Sequence, residues 1–273
     1  MSSGPHGSIL RFDGVSLVFD ETPVLDDVSF EIHEGETRII LGSAGSGKTV
    51  LLKTALGLLR PDSGRVIVFG EDITHLKEAA LFDMRARVGI LFQEGGLFDS
   101  LTIEENVAYP LLNQRLLRVP AGEARPRVEQ ALQFVELEHT LEKFPSELSG
   151  GMRRRVGIAR AVVTEPPLLL YDSPTAGLDP ITACTIISLI IKGRDLRNAT
   201  TVLATHRYQD ATWLDNFRYH PSSGKLQPAG NGGRPADSGT RFMVMREGRL
   251  IFEGSRIELE ASRDPYIAKF VKH

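Results

Sequence analysis

The segment Gly42-Ser43-Ala44-Gly45-Ser46-Gly47-Lys48-Thr49 decides how this sequence folds. It fits the pattern of a glycine, four free positions, Gly-Lys and then Ser or Thr, which is typical of a phosphate-binding loop. The glycines let backbone N–H groups converge on a polyphosphate, and the following helix presents its positive N-terminal end to the same anion. In such a loop Lys48 contacts the β and γ phosphates, and the Thr49 hydroxyl ligates Mg²⁺.

Apolar strand patterns surround this loop. Residues 15–19, 28–32 and 38–41 are rich in Val, Ile and Phe and are separated by polar turns, so they predict three short strands. From Thr49 the apolar residues take a helical spacing that stops before Pro61. The loop therefore follows a predicted strand and opens a predicted helix, which distinguishes a phosphate loop from an ordinary glycine turn.

Two later segments indicate a parallel sheet. Residues 168–171 form a continuous apolar run, as expected for a strand buried on both faces, and residues 200–205 are a second such strand. A helix is predicted between them, over residues 182–196. Shorter strand patterns occupy residues 65–69 and 88–92. This alternation of strands and helices predicts an α/β core.

The remainder of the chain predicts one insert and a loop-rich end. Between residues 97 and 161 strand patterns are scarce, and Val128, Leu132 and Val135 share a helical face, so we predict a helical insert. Residues 221–240 are mostly Pro, Gly and Ser, which predicts a flexible loop over about 216–241 with a small hairpin near its start. A hairpin at 244–252 and a helix at 256–272, broken near Pro265, complete what we interpret as one domain over residues 8–273.

Composition excludes several classes of protein. The 273 residues carry 32 basic and 35 acidic side chains, a net charge of -3, which removes the general electrostatic case for a nucleic-acid coat. The single cysteine, Cys184, cannot form an internal disulfide, and residues 1–8 lack the features of a signal peptide. The chain also lacks an apolar run long enough to cross a bilayer. We therefore expect a cytosolic protein.

A metal-holding carboxylate is the second requirement of a phosphate loop. Asp172 directly follows the buried run 168–171, so it lies at the carboxyl end of a strand, where open α/β sheets bind their ligands. An aspartate at a strand end is often only a turn or cap residue. Next to a phosphate loop, the interpretation as a magnesium ligand is favoured.

The segment Leu148-Ser149-Gly150-Gly151-Met152, which precedes a predicted helix, resembles the signature motif of ATP-binding-cassette (ABC) ATPases. Alone, Ser-Gly-Gly is equally a loop and helix cap. As a signature motif it forms a second anion site, because the Ser149 hydroxyl, the N–H groups of Gly150 and Gly151 and a helix N-terminus approach a γ phosphate held by another subunit. The resemblance thus implies ATP bound between two copies of the chain.

Other residues match the same family in order along the chain. Phe19 resembles the aromatic that stacks on adenine, although one aromatic in a strand is equally a core residue. Gln93 matches the glutamine that touches Mg²⁺ and the attacking water, and His206 matches the histidine that senses the γ phosphate. Residues 176–180, which include Asp179, match the loop that crosses the dimer interface. The resemblance implies a P-loop NTPase with a RecA-like core, an antiparallel β subdomain and a helical, signature-bearing subdomain.

A finer resemblance lies in residues 91–102 and 106–111, which are similar to the ATPases of Mce-type lipid transporters. That resemblance implies a homodimer beneath two permease subunits, on the cytoplasmic face of the inner membrane. It also implies an envelope-side Mce-domain protein and a phospholipid or other hydrophobic cargo. Leu97 and Phe98, beside two glycines, suit either an apolar groove for a permease helix or simple core packing.

One position departs from the family. The residue after the metal-holding Asp is usually a Glu that acts as general base, and here it is Ser173. A neutral hydroxyl is a poor proton acceptor, and loss of a positioned base typically costs about 10² to 10⁴ in rate. Three hypotheses remain open: hydrolysis is slow but adequate, another carboxylate such as Glu94 replaces the base, or the protein mainly clamps ATP.

Two other functions are alternatives to a transporter subunit. The basic run 153–155 suits either nucleic acid or a solvated helix face, and without interleaved aromatics we expect no nucleic-acid partner. A soluble cassette protein would normally carry a coiled-coil insertion or two cassettes in one chain, and neither pattern is found. A nucleotide-binding regulator without catalysis is favoured by Ser173.

Overall fold

Twelve strands, nine α-helices and two short 3-10 helices, Glu138–Thr140 and Pro145–Glu147, are found in the computed structural model, which describes residues 7–113, 119–229 and 239–271. The strands are β1 Ser8–Phe19, β2 Thr22–His33, β3 Thr37–Leu41, β4 Ser63–Val68, β5 Glu71–Asp72, β6 Val88–Leu91, β7 Leu168–Asp172, β8 Thr200–Thr205, β9 Phe217–His220, β10 Lys225–Pro228, β11 Thr240–Arg246 and β12 Arg249–Gly254. The helices are α1 Lys48–Ala55, α2 Glu78–Arg85, α3 Ile103–Asn113, α4 Ala121–Phe134, α5 Gly150–Val162, α6 Pro180–Arg197, α7 Tyr208–Asn216, α8 Arg256–Glu260 and α9 Pro265–Val271.

The central sheet has six strands in the order β12-β11-β3-β8-β7-β6. All neighbours pair in parallel except the β11–β12 hairpin. Every residue of β3, β7 and β8 is buried, which explains why apolar and threonine residues follow one another in these strands without alternation; the exceptions are Arg38 and Asp172. Because β3, β8 and β7 are parallel neighbours, their carboxyl ends meet at one edge of the sheet.

One strand of this sheet differs from the sequence-based expectation. The predicted hairpin at 244–252 is present, but its first strand begins earlier, at Thr240, and pairs in parallel with β3, with Phe242 opposite Ile39. The sequence pattern of a hairpin indicates that its two strands pair with each other, but it does not indicate which third strand the hairpin pairs with. The hairpin therefore extends the central sheet instead of standing outside it.

A four-stranded antiparallel sheet, in the order β2-β1-β4-β5, covers one side of the core. Phe12 of β1 and Phe30 of β2 stack with ring centroids 4.8 Å apart. Their cluster of buried side chains includes Leu51 and Leu52 of α1 and Ile40 of β3. The phosphate-loop helix is thus fixed between the two sheets by burial of its apolar face.

Helices α3, α4 and α5 form the predicted helical subdomain. Val107, Val128, Leu132 and Val156 are all buried in one cluster that also contains Leu91 of the central sheet. This arrangement, together with the two sheets, confirms the predicted fold class of a RecA-like core with an antiparallel β subdomain and a helical subdomain. Among the described residues, none of the helices has the length and apolarity required to span a membrane.

The segment predicted as a loop over 216–241 contains the expected small hairpin, β9–β10, with its turn at residues 221–224. The hairpin is fastened to α6, because Arg194 Nη2 donates to Phe217 O at 2.9 Å and Tyr219 N donates to Asp195 Oδ2 at 2.6 Å. Residues 230–238 of this segment lie outside the described residues. The predicted break near Pro265 is found between α8 and α9.

Candidate nucleotide site

The phosphate loop runs from Gly42 to Gly47, between β3 and α1. Gly47 is the N-cap of α1 with φ of 101°, and no side chain caps this helix, so its first N–H groups are available to an anion. A Cβ at Gly47 would lie 2.7 Å from Val24 O, and one at Gly42 would lie 2.7 Å from Met245 O. The neighbouring backbones therefore leave room only for glycine at both ends of the loop.

Lys48 lies with its ammonium group inside the loop. Its Nζ donates to Gly42 O and to Ser43 O, each at 2.8 Å, and to Ser46 Oγ at 3.3 Å. Burial lowers the pKa of Lys48 from its ordinary value, and the carboxylate of Asp172 opposes that shift. A buried ammonium group held only by neutral acceptors is suited to an exchange of partners with a phosphate oxygen.

Asp172 and Ser173 follow one another at the end of β7. Asp172 pairs with Ala204 of β8 and is 3% exposed. Ser173 has a left-handed backbone with φ of 47°, its N–H donates to Ala204 O at 2.8 Å, and its Oγ donates to Asp172 Oδ1 at 3.3 Å. The hydroxyl of Ser173 thus acts as a donor toward the expected metal ligand. Position 173 therefore provides no carboxylate that could act as a general base.

The residues expected to hold Mg²⁺ are all oxygen donors. Thr49 lies in the first turn of α1, which packs across β7 and β8, and Asp172 lies at the end of β7. Gln93, in the loop after β6, is exposed. A hydroxyl, a carboxylate and an amide oxygen are the hard ligands that suit Mg²⁺, which usually retains several waters. The donor set therefore fits the expected ion.

The signature segment forms a second helix N-terminus, which is capped by its own serine. Ser149 is the exposed N-cap of α5, and its Oγ accepts the N–H of Met152 at 3.3 Å. A Cβ at Gly151 would lie 2.5 Å from Thr182 Cγ2, so α5 and the start of α6 are in close contact. Asp179 caps α6 and accepts the N–H groups of Ile181 and Thr182, each at 3.0 Å. Hydrogen bonds lower the pKa of Asp179, and those from Thr182 contribute more than the one from Ile181.

The structure therefore brings the residues expected to face a second subunit, Ser149 to Gly151 and Asp179, together at neighbouring helix starts. Phe19 is not a core residue, because it ends β1 with 43% of its side chain exposed. The hairpin that carries Phe19 also supplies Val24, the neighbour of Gly47. His206 follows β8 directly and is exposed at the same sheet edge as Asp172.

A protein-family model described as ABC transporter matches residues 25–176. The chain belongs to the ABC transporter family. Among curated proteins, the "Probable ribonucleotide transport ATP-binding protein mkl" of Mycobacterium leprae (strain TN) is 38% identical over 221 residues, which cover 79% of this chain and 63% of that protein. The "Methionine import ATP-binding protein MetN 1" of Bacillus thuringiensis subsp. konkukian is 39% identical over 202 residues, covering 72% and 59%. The chain spans about three fifths of the length of these relatives.

Solved ABC transporter structures have the same fold. The dimeric structure of MJ0796, described as a bacterial ABC transporter cassette, gives a TM-score of 0.76 at 28% identity and covers 90% of this chain and 98% of that chain. A dimeric post-hydrolysis state of MJ0796, described as bound to ADP and Pi, gives a TM-score of 0.75 at the same 28% identity, with the same coverage of both chains. These neighbours confirm the predicted ABC ATPase resemblance and fold.

Two residues that the sequence analysis missed link the motifs of this ABC cassette. Arg154 of α5 donates from Nε to Gln93 O at 3.0 Å and from Nη2 to Ala176 O. Its guanidinium group therefore joins the signature helix, the Gln93 loop and the loop that precedes Asp179. Basic residues on a helix predict a solvated face, so the sequence offers no pattern that identifies this link.

Asp210 is the second missed residue. It is 4% exposed, and its Oδ2 accepts the hydroxyl of Thr205 at 3.2 Å and that of Thr175. Burial raises the pKa of Asp210, and the bond from Thr175 opposes that shift. Asp210 thus ties the end of β8, next to His206, to the loop after β7. In the sequence, the one feature that could have indicated this role is an aspartate four residues after His206.

Glu94, the expected replacement for the missing base, is exposed and lines a cleft with Gly150, Arg153 and Arg154. Partial burial lowers the pKa of Arg154, and the Glu94 carboxylate opposes that shift. Glu94 therefore interacts with the start of α5, and no bond joins it to Lys48 or Asp172 among the described residues. Its role in catalysis stays a prediction.

Proposed function

We propose that this chain is the ATP-binding and ATP-hydrolysing subunit of an ABC transporter, in which two copies close on two Mg-ATP molecules. The observation that carries the proposal is the pair of helix N-termini, each preceded by a glycine or serine of a short motif, on different subdomains of one chain. The start of α1 holds Lys48, and the start of α5 offers Ser149 and Gly150. Two copies would therefore form two anion sites, and each site would combine the phosphate loop of one copy with the signature segment of the other.

In this mechanism the chain's residues act mainly by position and charge. Lys48 moves from the carbonyl oxygens of Gly42 and Ser43 to the β and γ phosphates. Thr49, Asp172 and Gln93 would hold Mg²⁺, which would supply positive charge next to the phosphates. His206 contacts the γ phosphate and orients the attacking water. Phe19 stacks on the adenine, and the partner's copy of the signature motif closes the site.

Hydrolysis is expected to be slow because Ser173 replaces the general base. The Ser173 hydroxyl already donates to Asp172, so it stabilises the metal ligand and leaves the attacking water without a carboxylate acceptor. We propose that the remaining groups support residual turnover. The rate of ATP hydrolysis should be lower, by a factor of up to about 10² to 10⁴, than that of a family member with Glu at this position. A regulator that binds ATP without hydrolysis is the second candidate. ATP-dependent dimerisation with no phosphate release would identify it.

An apolar groove of about 720 Å³ suits a permease helix. Leu58 and Phe82 line one wall from the core, and Phe98 and Tyr109 line the other from the helical subdomain. The rings of Phe98 and Tyr109 are 4.7 Å apart and are 41% and 42% exposed. Exposed aromatic pairs of this kind usually mark an interface. We propose that a cytoplasmic helix of the permease subunit packs here.

For the cargo we propose a phospholipid or other hydrophobic molecule, handled together with an Mce-domain envelope protein. The support is the resemblance of residues 91–102 and 106–111 to the ATPases of Mce-type lipid transporters. The names of the related proteins refer instead to ribonucleotide transport and methionine import. The chain itself would be peripheral on the cytoplasmic face of the inner membrane. At saturating Mg-ATP, phospholipid should stimulate phosphate release by the purified transporter, while ribonucleoside monophosphates and methionine should not. Stimulation by either of the latter would refute the lipid assignment.

Permease binding is tested by co-purification of this chain with membrane permease subunits from its own organism. Phe98→Asp places a charge in the groove and should abolish co-purification while Mg-ATP binding stays unchanged. Ile257→Asp is the control, because Ile257 is 61% exposed on α8, outside the groove. Loss of the permease from both variants, or from neither, would contradict the proposed docking site.

A further inference from the structure

The C-terminal helix α9 reaches the phosphate loop through one side chain, Tyr266. Its Oη accepts the backbone N–H of Ser43 at 3.0 Å and lies 3.0 Å from Ser43 Oγ. The Tyr266 hydroxyl itself donates to Met245 O at 3.1 Å. The hydroxyl of Tyr266 therefore bonds both to strand β11 and to the second residue of the loop, which lies 223 positions away from Tyr266 in sequence.

Ser43 also takes part in holding the loop lysine. Its carbonyl oxygen accepts Lys48 Nζ at 2.8 Å, so the same residue is bonded to Tyr266 on one side and to the ammonium group on the other. Met245 O, the third partner, is the atom that a Cβ at Gly42 would approach to 2.7 Å. The bonds of Tyr266 thus fix the backbone at the start of the loop.

The orientation of Tyr266 is itself determined by packing. Asp264 Oδ1 accepts the N–H of Tyr266 at 2.7 Å, and Ile267 is 2% exposed in the main core. The Phe270 ring contacts Tyr266 edge-on with centroids 5.3 Å apart, and the Arg246 guanidinium lies 5.7 Å from the Tyr266 ring. A side chain restrained from several directions loses little further freedom when it bonds to Ser43.

We propose that Tyr266 is a positioning residue for the phosphate loop. It holds Ser43, and through Ser43 the ammonium group of Lys48, in the arrangement that receives a nucleoside diphosphate or triphosphate. The C-terminal helix thereby sets nucleotide affinity, although it contributes no residue to the phosphate-binding motif. This inference rests on the proposed nucleotide site, and its test separates the two.

The test is calorimetric titration of the full chain with Mg-ADP, with thermal unfolding of the nucleotide-free protein as a second readout. Tyr266→Phe keeps the ring and removes the hydroxyl, which should raise Kd about five-fold, the effect of losing about one hydrogen bond. Tyr208→Phe is the matched control, because it removes the hydroxyl that donates to Glu260 Oε1 at 2.7 Å in α8. It loosens the same C-terminal segment without touching Ser43 and should leave Kd unchanged.

A double-mutant cycle gives the readout that a merely structural role would not change. Ser43→Ala removes the hydroxyl that faces Tyr266, so the effects of Ser43→Ala and Tyr266→Phe on Kd should be less than additive. An unchanged Kd in Tyr266→Phe, an equal rise in Tyr208→Phe, or full additivity would overturn the inference while leaving the proposed function intact. A wild-type chain that does not bind Mg-ADP would overturn both. If Tyr266→Phe does not fold, Tyr266→Met, which fills the site with a flexible apolar side chain and lacks the hydroxyl, takes its place, and an unchanged Kd in that variant is the overturning result.

Discussion

Replacing Gly47 with alanine is the sharpest local test of the phosphate loop. Gly47 has φ of 101°, and a Cβ there would lie 2.7 Å from Val24 O and 3.2 Å from Met245 Cε. A positive φ costs an L-residue roughly 1 to 2 kcal/mol. Overpacking against a backbone oxygen adds typically about 1 to 3 kcal/mol. The free energy of unfolding should therefore fall by about 2 to 5 kcal/mol.

Gly45 supplies the control within the same loop. It also has a positive φ, 77°, but a Cβ there would meet nothing within 4 Å. Gly45→Ala should consequently cost only the roughly 1 to 2 kcal/mol of backbone strain. Denaturant unfolding of the two variants and the wild type measures the difference. Equal losses in both variants, or no loss in Gly47→Ala, would refute the described packing of the loop against the β1–β2 hairpin.

Three further substitutions test the links around the site. Ser173→Glu should raise steady-state phosphate release by the purified transporter toward the roughly 10² to 10⁴-fold that a positioned base contributes, and an unchanged or lower rate would count against the missing-base account. Arg154→Ala breaks the link between Gln93 and Ala176, so permease-stimulated kcat should fall more than Mg-ATP affinity; a loss confined to affinity would contradict this. Asp210→Ala leaves two buried hydroxyls without their acceptor and should lower the free energy of unfolding by about 1 to 3 kcal/mol in a denaturant titration, whereas no loss would contradict the buried network.

The sequence predicts the parts of the fold that depend on local patterns. The predicted phosphate loop, the helix that follows it and the strands at 168–171 and 200–205 are all found, because strands buried on both faces carry few charged residues and no alternation. The pairing of β11 with β3 was not predicted. Strand partners are chosen by long-range packing, which a local hairpin pattern does not contain.

Some residues of the candidate site are likewise predicted by local sequence patterns, and others are not. Lys48, Asp172 and the signature segment are recognised from short motifs whose spacing follows from chemistry. Arg154 and Tyr266 are not, because their partners lie far along the chain: Ala176 is 22 positions from Arg154, and Ser43 is 223 positions from Tyr266. Contacts between distant segments leave no periodic pattern in the sequence.

Sedimentation velocity of the full chain with its permease, at increasing Mg-ATP, tests the central claim most directly. The account predicts that Mg-ATP binds and brings two cassettes together. Lys48→Ala should abolish binding, and Ser149→Arg should abolish association while single-subunit binding persists. A wild-type chain that neither binds Mg-ATP nor associates under these conditions would contradict the account.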